Sequence, residues 1–165
     1  MDWKAIFDSG STQTHEVDIA LRLMLAAALG GVIGLDRQMR DRPAGLRTHM
    51  LTAMAAALFT LITFEIFHTV RSLENAPTVD PIRIIEAVTA GVAFLAAGAI
   101  IQTRGDVKGL TTGAGMWLAG AIGVTCGAGF YRMAIIATVL AFFVVTVLYE
   151  VTKRYFGTGE DEKHR

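Results

Sequence analysis

Cysteine is almost missing: the 165-residue chain has one, Cys126, inside an apolar run. A disulfide framework is therefore excluded, and no zinc-type ligand spacing exists. The four histidines, His15, His49, His68 and His164, stand far apart and form no metal motif. Charge is scarce too, at 18% of residues, and the formal net charge is zero. That balance carries no signal for nucleic acid or any other polyanion. No Walker or dinucleotide-binding glycine pattern is present. No nucleophile and base stand together with an orienting third group, so an enzyme is the least expected class and no catalytic residue is assigned. The N-terminus lacks the basic region of a cleaved signal peptide, which argues against cleavage at Ala26-Ala27-Ala28.

Apolar sequence is abundant. Hydrophobic residues make up 53% of the chain, and the mean hydropathy is +0.47. The charges gather in the gaps between apolar runs, as a bilayer demands. Five runs stand out, near Ile19–Leu35, Met50–Phe67, Ile84–Ile101, Thr111–Cys126 and Tyr131–Tyr149. Each approaches the ~20 residues that cross about 30 Å of hydrocarbon as a helix. The runs do not alternate as barrel strands would. The expectation is an all-α integral membrane protein of about five transmembrane helices, in an inner or plasma membrane.

The loops predict its orientation. Arg37, Arg40, Arg42 and Arg47 lie in the first loop, Arg104 and Lys108 in the third, and Lys153, Arg154, Lys163 and Arg165 in the tail. The opposite side has Lys4, Arg71, Arg83 and Arg132. This asymmetry puts the N-terminus outside and the C-terminus in the cytoplasm. The parts expected are an outer segment over 1–18, a transmembrane domain over 19–152 and a short cytoplasmic tail over 153–165.

Small residues recur every four positions, at Ala26, Gly30 and Gly34 and again at Gly115, Ala119, Gly123 and Gly127. Such spacing lets helix backbones approach. It serves either packing within the chain or a homodimer seam on the fourth helix. Arg22, Glu65 and Glu86 lie in or at the ends of spans, toward the outer side. They read as a structural charged cluster or, with the two glutamates, as an ion path.

The densest motif is the first loop, Gly34-Leu35-Asp36-Arg37 through Asp41-Arg42-Pro43-Ala44-Gly45-Leu46-Arg47-Thr48-His49. Pro43 and Gly45 make a turn before the second span. Arg47, Thr48 and His49 open that helix, where free N–H groups and the dipole favour an anion. Arg42 and Arg47 add forked donors. Asp36 and Asp41 offer oxygens to a hard cation such as Mg²⁺, the one cofactor considered. In the third loop, Lys108, Thr111 and Thr112 lead into the fourth span, with Thr111 and Thr112 expected to cap or open it and Trp117 further along. The two loops are expected to converge into one ligand or partner site of Asp36, Arg37, Asp41, Arg42, Arg47, Thr48, His49, Lys108, Thr111, Thr112 and Trp117.

These blocks, with Ala90-Gly91-Val92-Ala93-Phe94-Leu95-Ala96-Ala97-Gly98-Ala99-Ile100-Ile101 between them and Ile122-Gly123 and Gly127-Ala128-Gly129-Phe130-Tyr131 after, resemble the transmembrane domain of the MgtC/SapB family. The resemblance runs from about Leu21 to Arg154, and departs where Ala93 and Ala96 stand in place of glycine. It implies five spans and a cytoplasmic C-terminus. It further implies a non-enzymatic regulator, since the best-known member is a virulence factor of growth in low Mg²⁺ and inside macrophages that acts on the F-type ATP synthase. That member carries a soluble ACT-like C-terminal domain. This chain, which ends soon after Lys153-Arg154, is expected to group with the shorter SapB- and YhiD-type members. The competing expectations are a transporter or channel for Mg²⁺ or another small ion, and a sensor of an anionic ligand or lipid.

Overall fold

The computed structural model describes residues 12–71, 80, 82–103 and 106–156. The fold is all-α, with one two-stranded hairpin. Helix α1 runs Glu16–Met39, α2 Leu46–Arg71 and α3 Ile82–Gly98. Strands β1, Ile101–Thr103, and β2, Asp106–Lys108, pair antiparallel with Gln102 opposite Val107. Helix α4 spans Leu110–Gly127 and α5 Tyr131–Phe142. A π-helical segment, Phe143–Leu148, continues α5 into α6, Tyr149–Phe156.

Among the described residues, three stretches are long and apolar enough to cross a membrane: Glu16–Met39, Leu46–Arg71 and Tyr131–Val151. Helices α3 and α4, at 17 and 18 residues, are shorter. The third apolar run extends to Ile101 in sequence, yet its helix ends at Gly98 and Ile101 enters β1. The last run is not uniformly α-helical, because the π segment interrupts it. The first helix starts at Glu16, inside the segment expected to lie outside the domain. Residues 1–11, Arg104 and the tail from 157 lie outside the described residues.

Helix α1 begins where the His15 imidazole accepts from the Val17 N–H, and Glu16 and Asp18 sit favourably in its positive first turn. It ends at Arg40, and Asp41 turns the chain in the left-handed region at φ 49°.

The core forms where α2 lies between α1 and α4. Ala26 and Ile33 of α1, Ala53 and Ala57 of α2, and Ala119, Ile122 and Cys126 of α4 are fully or almost fully buried. The small residues explain the closeness. A Cβ added at Gly30 would come 2.7 Å from the His49 carbonyl oxygen, and one at Gly34 2.9 Å from Leu46 Cα. One at Gly127 would lie 2.5 Å from the Ala57 carbonyl oxygen, and one at Gly123 would overlap that of Ala53. Both small-residue stripes are thus filled by α2 of the same chain, so the Gly123 face is not free to serve a dimer. Thr52, Thr60 and Thr138 return their hydroxyl protons to carbonyls one turn back, at 2.8 Å each, which satisfies them without a partner helix. Helix α3 lies at the side, where Val88 and Val92 pack on α4 and Ala56 of α2.

Candidate functional site

The two ends of the bundle hold its charges. At the end carrying the first loop, Asp36 and Arg37 are buried, at 2% and 3% exposure. They close α1, one turn past the Gly34 crossing with α2. Arg37 donates to Asp36 Oδ2 at 2.9 Å. Arg40 Nε donates to Asp36 Oδ1 at 3.0 Å, and Thr146 Oγ1 donates to the same oxygen at 3.0 Å. Arg40 also reaches Glu150 Oε1 at 3.1 Å and lies 4.1 Å from the Tyr149 ring centroid. The final helical stretch is thereby fastened to the end of α1. Thr146 belongs to the π segment, whose widened turn alters which side chains face α1.

Both carboxylate oxygens of Asp36 are taken by donors, two of them guanidinium groups. A divalent cation there would meet the positive charge of both guanidinium groups. Asp41 is exposed on its turn.

His49, on the first turns of α2, is fully buried, with Nδ1 3.0 Å from the Gly45 carbonyl oxygen. A carbonyl can only accept, so Nδ1 carries the proton in this contact. Nε2 has no partner among the described residues, and neither does Arg37 Nε. The free imidazole nitrogen faces Gly115, where an added Cβ would lie 3.1 Å from it. Glycine thus lets α4 close over the histidine.

Among the described residues, no hydrogen bond or ion pair joins Arg42 or Arg47 to Lys108, Thr111 or Thr112; what the first loop meets is α4 and the end of α3. Ala44 of the first loop is buried against Ala96 and Ala99 at the end of α3 and Met116 of α4. Gly109, at φ 89°, opens α4 as its N-cap, and no side chain caps the helix. Of the two roles expected, Thr111 and Thr112 open the helix in its first turn and do not cap it; Thr112 is buried and Thr111 exposed. Arg42, Arg47 and Lys108 are exposed. Thr48 is half-buried, and its carbonyl accepts from Thr52. Trp117 is 48% exposed and faces a cavity of about 340 Å³ between α3 and α4, lined by Val88, Val92, Gly120 and Val124 among others.

At the opposite end, Arg22, Glu65 and Glu86 do not join. Arg22 pairs with Asp18 and donates to the Gly127 carbonyl at 2.9 Å. Tyr131 donates to Asp18 at 3.2 Å, so α1 is tied to the α4–α5 turn. Glu65 accepts from the Gln13 N–H at 2.7 Å and the Thr14 N–H at 2.9 Å, tying α2 to the chain before α1. Glu86 is exposed on α3. Sequence reasoning read Arg40 only as a topology charge and missed Thr146, Tyr149 and Glu150. The Asp36–Arg40 contact had a readable signal in its i,i+4 spacing. The other three had none, since they lie on a helix more than a hundred residues away.

A family model described as the MgtC family matches residues 23–154. "Putative magnesium transporter YhiD" of Escherichia coli K12 is 41% identical over 137 residues, covering 83% of this chain and 63% of that protein. "Protein MgtC" of Brucella abortus strain 2308 is 42% identical over 122 residues, covering 74% of this chain and 46% of that protein. An uncharacterized protein of Haemophilus influenzae is 38% identical over 121 residues, covering 72% of this chain and 50% of that protein. The chain thus spans about half to just under two thirds of the length of these relatives. No solved structure matches.

Proposed function

The chain belongs to the MgtC family, and from that premise we propose that it is a non-enzymatic regulatory protein of the bacterial inner membrane that acts on another membrane complex. The first candidate for that complex is the F-type ATP synthase, and the setting is adaptation to low Mg²⁺ or to host and acid stress. In this reading α3 and α4 also cross the bilayer, making five spans with the N-terminus outside and the C-terminus in the cytoplasm. The basic residues of the first loop, the third loop and the tail support that orientation.

One observation carries the proposal. The mid-height core of α1, α2 and α4 is Ala26, Ala53, Ala57, Ala119, Ile122 and Cys126. The buried charges lie at the two ends and are engaged in contacts within the chain. An ion crossing one copy would meet close-packed alkyl groups rather than a chain of ligands. The surface facing the lipid is rich in large apolar side chains, as docking on a membrane partner requires. The test is proton-driven ATP synthesis in inverted vesicles with and without the protein. Synthesis should fall as the protein is added; no change at stoichiometric excess would refute the proposal.

A second reading is transport of Mg²⁺ or another small ion, favoured by the name of the Escherichia coli relative. Purified protein in liposomes should then show a flux that Glu86→Gln lowers, and absence of flux dismisses it. A third reading, sensing of an anionic ligand or lipid, draws on the exposed Arg42, Arg47 and Lys108. Unaltered binding of anionic lipids and nucleotides by Arg47→Ala would remove it.

A further inference from the structure

One face of α3 has no partner among the described residues. Arg83, Glu86, Ala90, Ala93 and Ala97 follow the alternating three- and four-residue spacing of a helix–helix seam, and all five are exposed. They lie opposite Val88, Val92 and Ala96, the buried side of the helix. On α1 and α4, small residues are covered so closely that an added Cβ would collide with α2. On α3, by contrast, the small residues Ala90, Ala93 and Ala97 are all left exposed.

The two charges, rather than the alanines, point to an occupant. The ion pairs among the described residues involve Arg22, Arg37 and Arg40, not Arg83, and Glu86 is in none of them. A helix of 17 residues is about 25 Å long, less than the ~30 Å of hydrocarbon it would have to cross. Glu86, one turn inside it, then lies within or at the edge of the apolar layer. Ionisable groups at such depth ordinarily face protein and pair, yet this one faces outward.

We propose that this face is the seam of a homodimer, in which two copies of α3 pack in parallel about a twofold axis along the membrane normal. The proposal rests on α3 crossing the membrane. Two copies inserted alike run α3 in the same direction, and a twofold axis lays the same patch upon itself. Ala90, Ala93 and Ala97 let the backbones approach. Arg83 of one copy then reaches Glu86 of the other, and the reverse, so each charge on the face is matched. A different membrane helix would need its own acid and base at the same depth, whereas a second copy supplies both.

The test is oxidative crosslinking in native membranes, using single cysteines placed in a Cys126→Ala background. Ala90→Cys, Ala93→Cys and Ala97→Cys should give dimers, and Gly91→Cys and Leu95→Cys, off the seam, should not. Arg83→Glu should lower the Ala90→Cys crosslink by roughly tenfold, because four acids then meet in a poorly solvated layer. Adding Glu86→Arg should restore it, which loss of folding could not do. Crosslinking equal around the helix, absence at all three seam positions, a product holding a different protein, or failure of the double reversal to rescue would each overturn the proposal. Maleimide labelling of Ala90→Cys in sealed vesicles separates the two premises. Labelling without detergent refutes the crossing of α3; protection without crosslinking leaves the crossing intact and refutes the seam.

Discussion

Gly123→Ala tests the packing that organises the bundle. The added methyl would overlap the Ala53 carbonyl oxygen and lie 2.8 Å from both the Ala53 carbonyl carbon and the Ala56 Cβ. Favourable contact between carbon atoms needs about 3.5–4.0 Å, so α4 and α2 must part by about 1 Å. The obstruction is helical backbone, which cannot swing aside as a long side chain would. The separation also loosens the neighbouring contacts at Ala119, Ile122 and Gly127. Overpacking of this kind costs about 1–3 kcal/mol, which for a domain of this size lowers the melting temperature by roughly 2–12 °C. The control is Gly91→Ala, where the new Cβ meets nothing within 4 Å. There, alanine's better helix propensity should leave stability unchanged or raise it by about 0.5–1 kcal/mol. The assay is the fraction of monodisperse protein remaining after heating in detergent, followed by size-exclusion chromatography. If Gly123→Ala melts together with Gly91→Ala, the close crossing of α2 and α4 is wrong.

The Asp36 shell should respond unequally to its parts. Asp36→Asn strands the buried Arg37 guanidinium and should cost about 3–5 kcal/mol, whereas Thr146→Val removes one hydrogen bond and should cost about 1 kcal/mol; equal melting temperatures would contradict the geometry. Cys126 is fully buried in the α1–α2–α4 core. It should resist a membrane-permeant maleimide in the folded protein and react fully once denatured, as read by mass spectrometry; rapid labelling of the native protein would place it elsewhere.

Much of this architecture was legible in the residues. Hydropathy and helix period act locally, so the apolar runs, the basic loops and the four-residue recurrence of small side chains are visible without coordinates. The Gly34-to-His49 block carried the family resemblance for the same reason, since its residues are contiguous. The packing of Ala44 against Ala96, Ala99 and Met116, which seats the first loop on α3 and α4, had no such local signal.

Azimuth and helix order were not legible. Nothing local tells that Thr146 will meet Asp36 across 110 residues of chain, or that a π segment will turn it there. Nothing local tells that Gly123 faces α2 rather than a second molecule, or that Glu86 faces outward while Glu65 ties down the chain before α1. Apolar spacing specifies which side of a helix seeks cover. Which neighbour provides that cover depends on how all the helices fill one volume together, and only the packed bundle settles it.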